Sequence, residues 1–327
     1  MRNLFILLAV LWIAILPASA QQSRYNSGKG KQPATRDHAI KDSDEEDPNP
    51  WPLQKFEYGI TIGGYFGNKY SANFYNGSPG NVNTIDYVLK NTYWKREIRQ
   101  ALGIGETDTT STLTIEDADK KNGTNDGYPT DMHYNAAVYG GVFFRYNFNR
   151  KNSLFLQANY CRLKTAGLVT VYIDPHDPYY AKPPDLKMEQ VIGREGRVMI
   201  DLGFQRSFPL RSRISLFVQG AFTMCYTQVQ KSAFVVEGRE YNMVNIYASQ
   251  AYIPNTNQQT VNVNQNAFGF GALLGAGAGI PLTAQFAVEP GFFCHYYPTN
   301  LEGYPDYKPS FGIYLRILMN FSGSDNE

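Results

Sequence analysis

From residue 56 onward, apolar and polar positions alternate with period two over segment after segment. In "FGIYLRILMNF" the residues Phe311, Ile313, Leu315, Ile317, Met319 and Phe321 fall on one face, and Gly312, Tyr314, Arg316, Leu318 and Asn320 on the other. A helix would scatter both sets around its circumference, so the pattern predicts a strand with one strongly apolar face. In "RISLFVQGAFTMCY", Ile214, Leu216, Val218 and Phe222 oppose Ser215, Gln219 and Thr223. In "RVMIDLGFQ", Val198, Ile200, Leu202 and Phe204 oppose Arg197, Asp201 and Gln205. "NAAVYGGVFFRYNF", "SLFLQANY" and "AQFAVEPGFF" repeat the rhythm, and "FEYGITIGGY" and "NAFGFGALLGAGAGI" complete a set of eight.

The connections decide what kind of β-protein this is. Three are tight: "NFNRKNS" around Arg150, "FPLRS" around Leu210 and "GIPLT" around Pro281. The other four are long, about 67–130, 166–194, 230–264 and 298–308. Short and long alternate along the chain, which is the plan of an all-β, transmembrane, antiparallel up-and-down β-barrel with short periplasmic turns and long outer loops. A secreted soluble β-protein would also alternate, but it has no reason to segregate its loops by length. Eight strands place both termini in the periplasm. The run "AFVVEGREYNMVNIYA", Ala233 to Ala248, reads as two strands around Glu237-Gly238-Arg239. It either extends the fifth and sixth strands above the membrane or adds a spanning pair, which would make ten.

With apolar residues facing lipid, Arg316 points into the barrel, whose interior at this strand number is just wide enough for side chains to fill. Glu57, Arg145, Arg197, Asp201 and Glu289 share that inward parity, and Arg316 lies one strand from Glu289. An isolated buried ion is very costly, so these six are expected to pair into a plug that holds the barrel together rather than to relay protons or ions. The glycine run at 269–279 lies within a strand, where small residues admit a bulky plug, and is not a phosphate loop.

The first long loop holds "NVNTIDYVLKNTYWKREIRQALG", in which Ile85, Val88, Leu89, Ile98 and Leu102 recur at helical spacing. Asn83 or Thr84 caps the start and Gly103 the end of a helix in this outer loop. Such a helix is either ordered by its own packing or a docking surface. Tyr- and Pro-rich tracts, "DPHDPYYAKPPD" and "YYPTNLEGYPDYKP", occupy two other loops.

The ends and the composition set the compartment. Arg2, the apolar run Leu4 to Leu16 and the small-residue site Pro17-Ala18-Ser19-Ala20 make residues 1–20 a secretory signal peptide. Residues 21–52, rich in Gly, Pro, Ser and charge, read as a disordered periplasmic tether, the barrel as 53–321, and 322–327 as a C-terminal tail. No later segment has eighteen consecutive apolar residues, which leaves a closed barrel as the way to span a membrane. The 24 Tyr and 20 Phe suit that reading. Net charge is +1, so there is no broad basic field and no nucleic-acid partner is expected. Cys161, Cys225 and Cys294 sit in apolar runs and are expected as buried free thiols.

No nucleotide, zinc-protease or EF-hand motif appears, so no cofactor, no metal site and no catalytic residue is assigned. His133 and His295 fall on inward parity near the outer ends of the second and seventh strands. No Ser accompanies either, and the two strands are not neighbours, so they are read as rim histidines without catalytic duty. A metal set with Asp131 is weaker still. The reading is a non-enzymatic barrel with a filled lumen. The alternatives are a rim-active lipid-modifying enzyme and a narrow diffusion channel.

The signal, the polar tether, "EYGITIGGYFG", "ANFYNG" before "IDYVLKN", "MHYNAAVYGGVFFRYNF", "REGRVMIDLGFQRSF" and "VEPGFFCHYY" together resemble the small outer-membrane β-barrel proteins of Bacteroidetes. The resemblance implies contact with outer-membrane lipid, folding by the barrel-assembly machinery and an unidentified protein partner. Some members of that class are accessory components of type IX secretion and gliding machinery, and the resemblance implies such a role here. Phe321 stands where the class carries its C-terminal assembly aromatic, but "SGSDNE" follows it, whereas assembly signals usually end on that residue.

Overall fold

The computed structural model describes residues 55–105, 111–115, 127–174, 185–210, 214–244, 265–283 and 285–319. The chain divides into two units, Met1–Glu46 and Asp47–Glu327. The first, with the signal, most of the tether, and also Phe321 and the tail, lies outside the described residues.

Among the described residues ten strands form: β1 Phe56–Phe66, β2 Thr112–Ile115, β3 Ala137–Asn147, β4 Asn152–Asp174, β5 Asp185–Pro209, β6 Ser215–Val236, β7 Arg239–Asn242, β8 Asn266–Pro281, β9 Phe286–Tyr297 and β10 Lys308–Met319. Eight of them close a ring in the order β1-β3-β4-β5-β6-β8-β9-β10, every pairing antiparallel, with β10 returning to β1. These are the eight strands that the alternation picks out. Closure leaves no unpaired edge in the ring, which is the condition for strands to cross lipid. β2 and β7 stand outside it, pairing with the far ends of β4 and β6. At four residues β7 is too short to span, since a tilted crossing takes about 9–11 residues. Glu237-Gly238 make the turn that folds it back, both with positive φ (46° and 77°). The run from Ala233 therefore lengthens the fifth spanning strand, and the ring stays at eight.

Outward positions form an apolar belt: Ile60 and Ile62 on β1, Leu202 and Phe204 on β5, Phe222 on β6, Phe292 on β9 and Ile313 on β10 are all exposed. β4, β5 and β6 are 23, 25 and 22 residues long. That is twice the length of a crossing, so their outer halves stand clear of the belt. The segment 166–194, expected as a loop, is paired strand from Ala166↔Ile192 to Ile173↔Asp185. Its inward residues Val169, Val171, Ile173 and Val191 stay buried, while the outward ones no longer form an unbroken apolar face.

The first outer loop fills the mouth. Lys69–Ala72 make one helical turn, α1, followed by a 3-10 turn, Asn73–Tyr75. Ala72, Phe74 and Tyr75 are buried. Tyr75 lies against Gly193 of β5, where any side chain would meet its ring. The helix expected beyond it forms as two, α2 Ile85–Lys90 and α3 Thr92–Ala101. Thr84 caps α2 by accepting from the Tyr87 N–H, and Gly103, at φ +81°, ends α3. The break falls at Asn91, whose side chain accepts from the N–H groups of Tyr93 and Trp94 and so starts a new helix. Ile85, Val88, Ile98 and Leu102 are buried, and Trp94 sits edge-on to Tyr241 of β7, centroids 6.3 Å apart. The helices thus rest against the β6–β7 hairpin.

Candidate functional site

Two connected polar networks occupy the barrel interior. The first runs across the end nearer the tight turns. Arg145 donates from Nε to Glu57 at 2.6 Å and from Nη1 to Glu289 at 2.7 Å. Arg316, directly opposite Glu289 in the β9–β10 ladder, donates to its other oxygen at 2.8 Å. The Arg316 guanidinium lies 3.4 Å from the centre of the Phe143 ring and also donates to Gln157 at 3.2 Å. Gln157 passes the chain to Asp201 at 2.8 Å, and Asp201 accepts from Thr223 at 2.5 Å and lies 3.1 Å from His295 Nε2. Glu57, Arg145, Glu289 and Arg316 each have a counter-charge within hydrogen-bond reach, as burial demands, and Asp201 is held by hydrogen-bonding side chains.

The second network lies toward the outer mouth and is centred on Arg197. Its Nε donates to Glu195 at 2.6 Å, Nη2 to Ser71 of the plug at 3.0 Å, and Nη1 reaches the Tyr297 hydroxyl at 3.3 Å. Glu195 also accepts from Tyr75 at 2.7 Å and from Tyr134 at 3.0 Å. The loop plug is thereby tied to β5. Burial, together with the adjacent Glu195 carboxylate, pushes the Tyr75 and Tyr134 phenols well above the usual tyrosine range and keeps them as donors. Arg197 and Arg316 are both 0% exposed.

All six inward charges named from the sequence therefore lie in the lumen, but in two networks. Glu57, Arg145, Glu289, Arg316 and Asp201 belong to the first, and Arg197 to the second. Sequence reasoning missed Glu195, although it shares the parity of Arg197 two positions on. It also missed Gln157 and Thr223, whose neutral side chains carry no charge signal.

The two histidines separate. His295 is fully buried beside Asp201. His133 is not inward: it is exposed, its ring near the Asp131 carbonyl. Tyr134↔Thr165 and Tyr139↔Cys161 differ by one residue in register, so a residue is inserted between them and the faces swap. Buried Tyr134 takes the inward place that parity assigns to His133. Asp131 is paired with Lys69, which holds its carboxyl below the usual range. Among the described residues no three His, Cys, Asp or Glu side chains gather as a metal set. Cys161 and Cys225 are buried free thiols, and Cys294 is a half-buried one.

A closed, up-and-down ring with an apolar outside and a polar, filled inside is a transmembrane β-barrel. No protein-family model matches the chain, and no curated protein does. Among solved structures it is similar to neisserial surface protein A, at 9% identity over 81% of this chain and 97% of that one, TM-score 0.34. It is also similar to the attachment invasion locus protein Ail of Yersinia pestis, at 8% identity over 81% and 98%, TM-score 0.29. The outer membrane protein OprG of Pseudomonas aeruginosa follows at 10% identity over 84% and 95%, TM-score 0.31. The assignment of the fold rests on the strand ring itself.

Proposed function

We propose that the chain is a non-conducting, non-enzymatic outer-membrane barrel that anchors an ordered extracellular platform for a partner complex. The observation that carries this reading is the complete burial of Arg197 and Arg316 across the bore, with the α1 plug tied to Arg197 above them. The platform is the outer part of β4, β5 and β6 with β2, β7 and the two loop helices, far more structure than a barrel needs to close. Accessory service to secretion or gliding machinery is the finer form of this proposal, supported by the sequence resemblance, and cross-linking in the native membrane followed by mass spectrometry identifies the partner.

Planar-bilayer recording tests the closed lumen. The expected result is no steady conductance for the full chain, and persistent openings would favour the diffusion channel. The lipid-enzyme alternative fits poorly with His295, which is sealed from both leaflets beside Asp201. Incubation with labelled lipopolysaccharide checks it: product formation that disappears in His133→Ala or His295→Ala would replace the anchoring role with catalysis.

A further inference from the structure

On the wall built by β4, β5 and β6, cations stand side by side facing outward. Lys164 is opposite Arg194 across the β4–β5 ladder, and Arg194 is opposite Lys231 across β5–β6. Arg162, two residues before Lys164 on the same face, is opposite Gly196, so no β5 side chain covers it. Arg162 and Lys164 are exposed and Arg194 is half-buried. Like charges directly opposite one another destabilise a sheet. Among the described residues Lys231 has an acidic partner, Glu240. The side chains of Arg162, Lys164 and Arg194 have none, and Arg194 Nε is buried without a hydrogen-bond partner. The described residues therefore hold three cations together with no anion among them to join them.

Their height says where the anion comes from. A crossing of about ten residues that starts at Asn152 ends near Cys161, immediately below Arg162. Tyr160 and Tyr226 face outward on either side of Val198 just beneath the cations. Tyrosines at this position mark the boundary between apolar belt and headgroup layer. The next level outward is where lipid phosphates lie.

We propose that Arg162, Lys164 and Arg194 bind the phosphorylated headgroup of an outer-leaflet lipid, its acyl chains lying along the Tyr160–Val198–Tyr226 wall. Two guanidinium groups and an ammonium present several donors to phosphate oxygens, and Arg adds bidentate geometry. The occupant is a lipid rather than free phosphate because the cations end directly on an apolar, lipid-facing surface. The assignment to the outer leaflet rests on the outer-membrane reading above.

The test uses the full chain in detergent with bis-phosphorylated lipid A, the same lipid A stripped of phosphate, and soluble glucosamine phosphate. Retention is followed by native mass spectrometry and stability by the gel-shift unfolding temperature. Bis-phosphorylated lipid A is expected to be retained and to raise the unfolding temperature, with an affinity at least about tenfold above that of the stripped form, or about 1.4 kcal/mol. The triple variant Arg162→Gln, Lys164→Gln, Arg194→Gln is expected to lose that preference. Lys187→Gln, on the same sheet but paired with Glu237, is expected to keep it. All four sites face outward or lie at the tip, and an unchanged gel shift without lipid verifies folding. Equal retention of the two lipid forms, or an unaffected triple variant, overturns the site. Equal stabilisation by glucosamine phosphate overturns the lipid as occupant. Protease mapping on intact cells separates the two layers of the argument: inverted topology with preference intact overturns the leaflet alone, and correct topology with preference absent overturns the site alone.

Discussion

Arg316 is held by three neighbours of different chemistry: the Glu289 carboxylate, the Gln157 carbonyl and the face of Phe143. Its pairing with Glu289 is legible in the sequence, because parity puts both inward and their strands, β9 and β10, follow one another in the chain and so are neighbours in an up-and-down ring. The sharing of Glu289 with Arg145 is not legible. β3 reaches β9 only across the lumen, and the sequence fixes neighbours along the ring, not chords across it. This second partner changes what mutation should do. Arg316→Leu leaves Glu289 with Arg145 and leaves Gln157 short of a donor, so the loss should fall at the lower end of the roughly 3–5 kcal/mol typical of a broken buried pair. Adding Glu289→Leu should recover much of it, because Glu57 and Arg145 remain a matched pair. Heat resistance on a gel-shift assay in detergent reads both. Simple addition of the two losses would mean that the residues are not coupled.

At the level of the element, the long strands change environment along their length, and one substitution type reports where. Leu315 on β10 and Leu168 on β4 both face outward, 41% and 59% exposed. Leu315 lies in the belt, whereas Leu168 stands above the cations of β4. Leu315→Arg should cost about 2–4 kcal/mol if it lies near the midplane, and Leu168→Arg close to nothing, measured by urea unfolding from lipid vesicles. Equal costs would move the membrane boundary on β4. The plug gives a second expectation. Gly193→Leu puts a side chain where the Tyr75 ring lies, and overpacking of about 1–3 kcal/mol should push the α1 segment out of the mouth. Trypsin should then cut after Lys69 faster than in the parent, and an unchanged rate would mean the plug is anchored elsewhere. The spanning strands and the helical spacing in the first loop were readable because one face of each is apolar without interruption. The split at Asn91 and the extension of β4 and β5 were hidden, the first in a single capping side chain, the second in outward residues of mixed character. The inserted residue before Ala137, which turns His133 outward, leaves no mark in an alternation pattern at all.

For the whole molecule, the three tight turns gather at one end of the ring and the plug, helices and extended strands at the other. If the extended end faces outward, a protease added to intact cells should reach the loop that contains Lys120 and Lys121 and should not reach Arg150 or Arg211. In the chain Arg150 falls in the short connection between β3 and β4, and Arg211 in that between β5 and β6, and short connections are the periplasmic ones in such barrels. Lys69 should also survive, because α1 is drawn into the mouth by Ser71 and Tyr75 and Lys69 itself is paired with Asp131. Trypsin treatment of whole cells, followed by mass spectrometry of the released fragments, distinguishes the orientations directly. Cleavage at Arg150 or Arg211 with Lys120 protected, in cells whose outer membrane is intact, would turn the barrel over. It would put the platform in the periplasm, and the partner it serves would then have to be sought there.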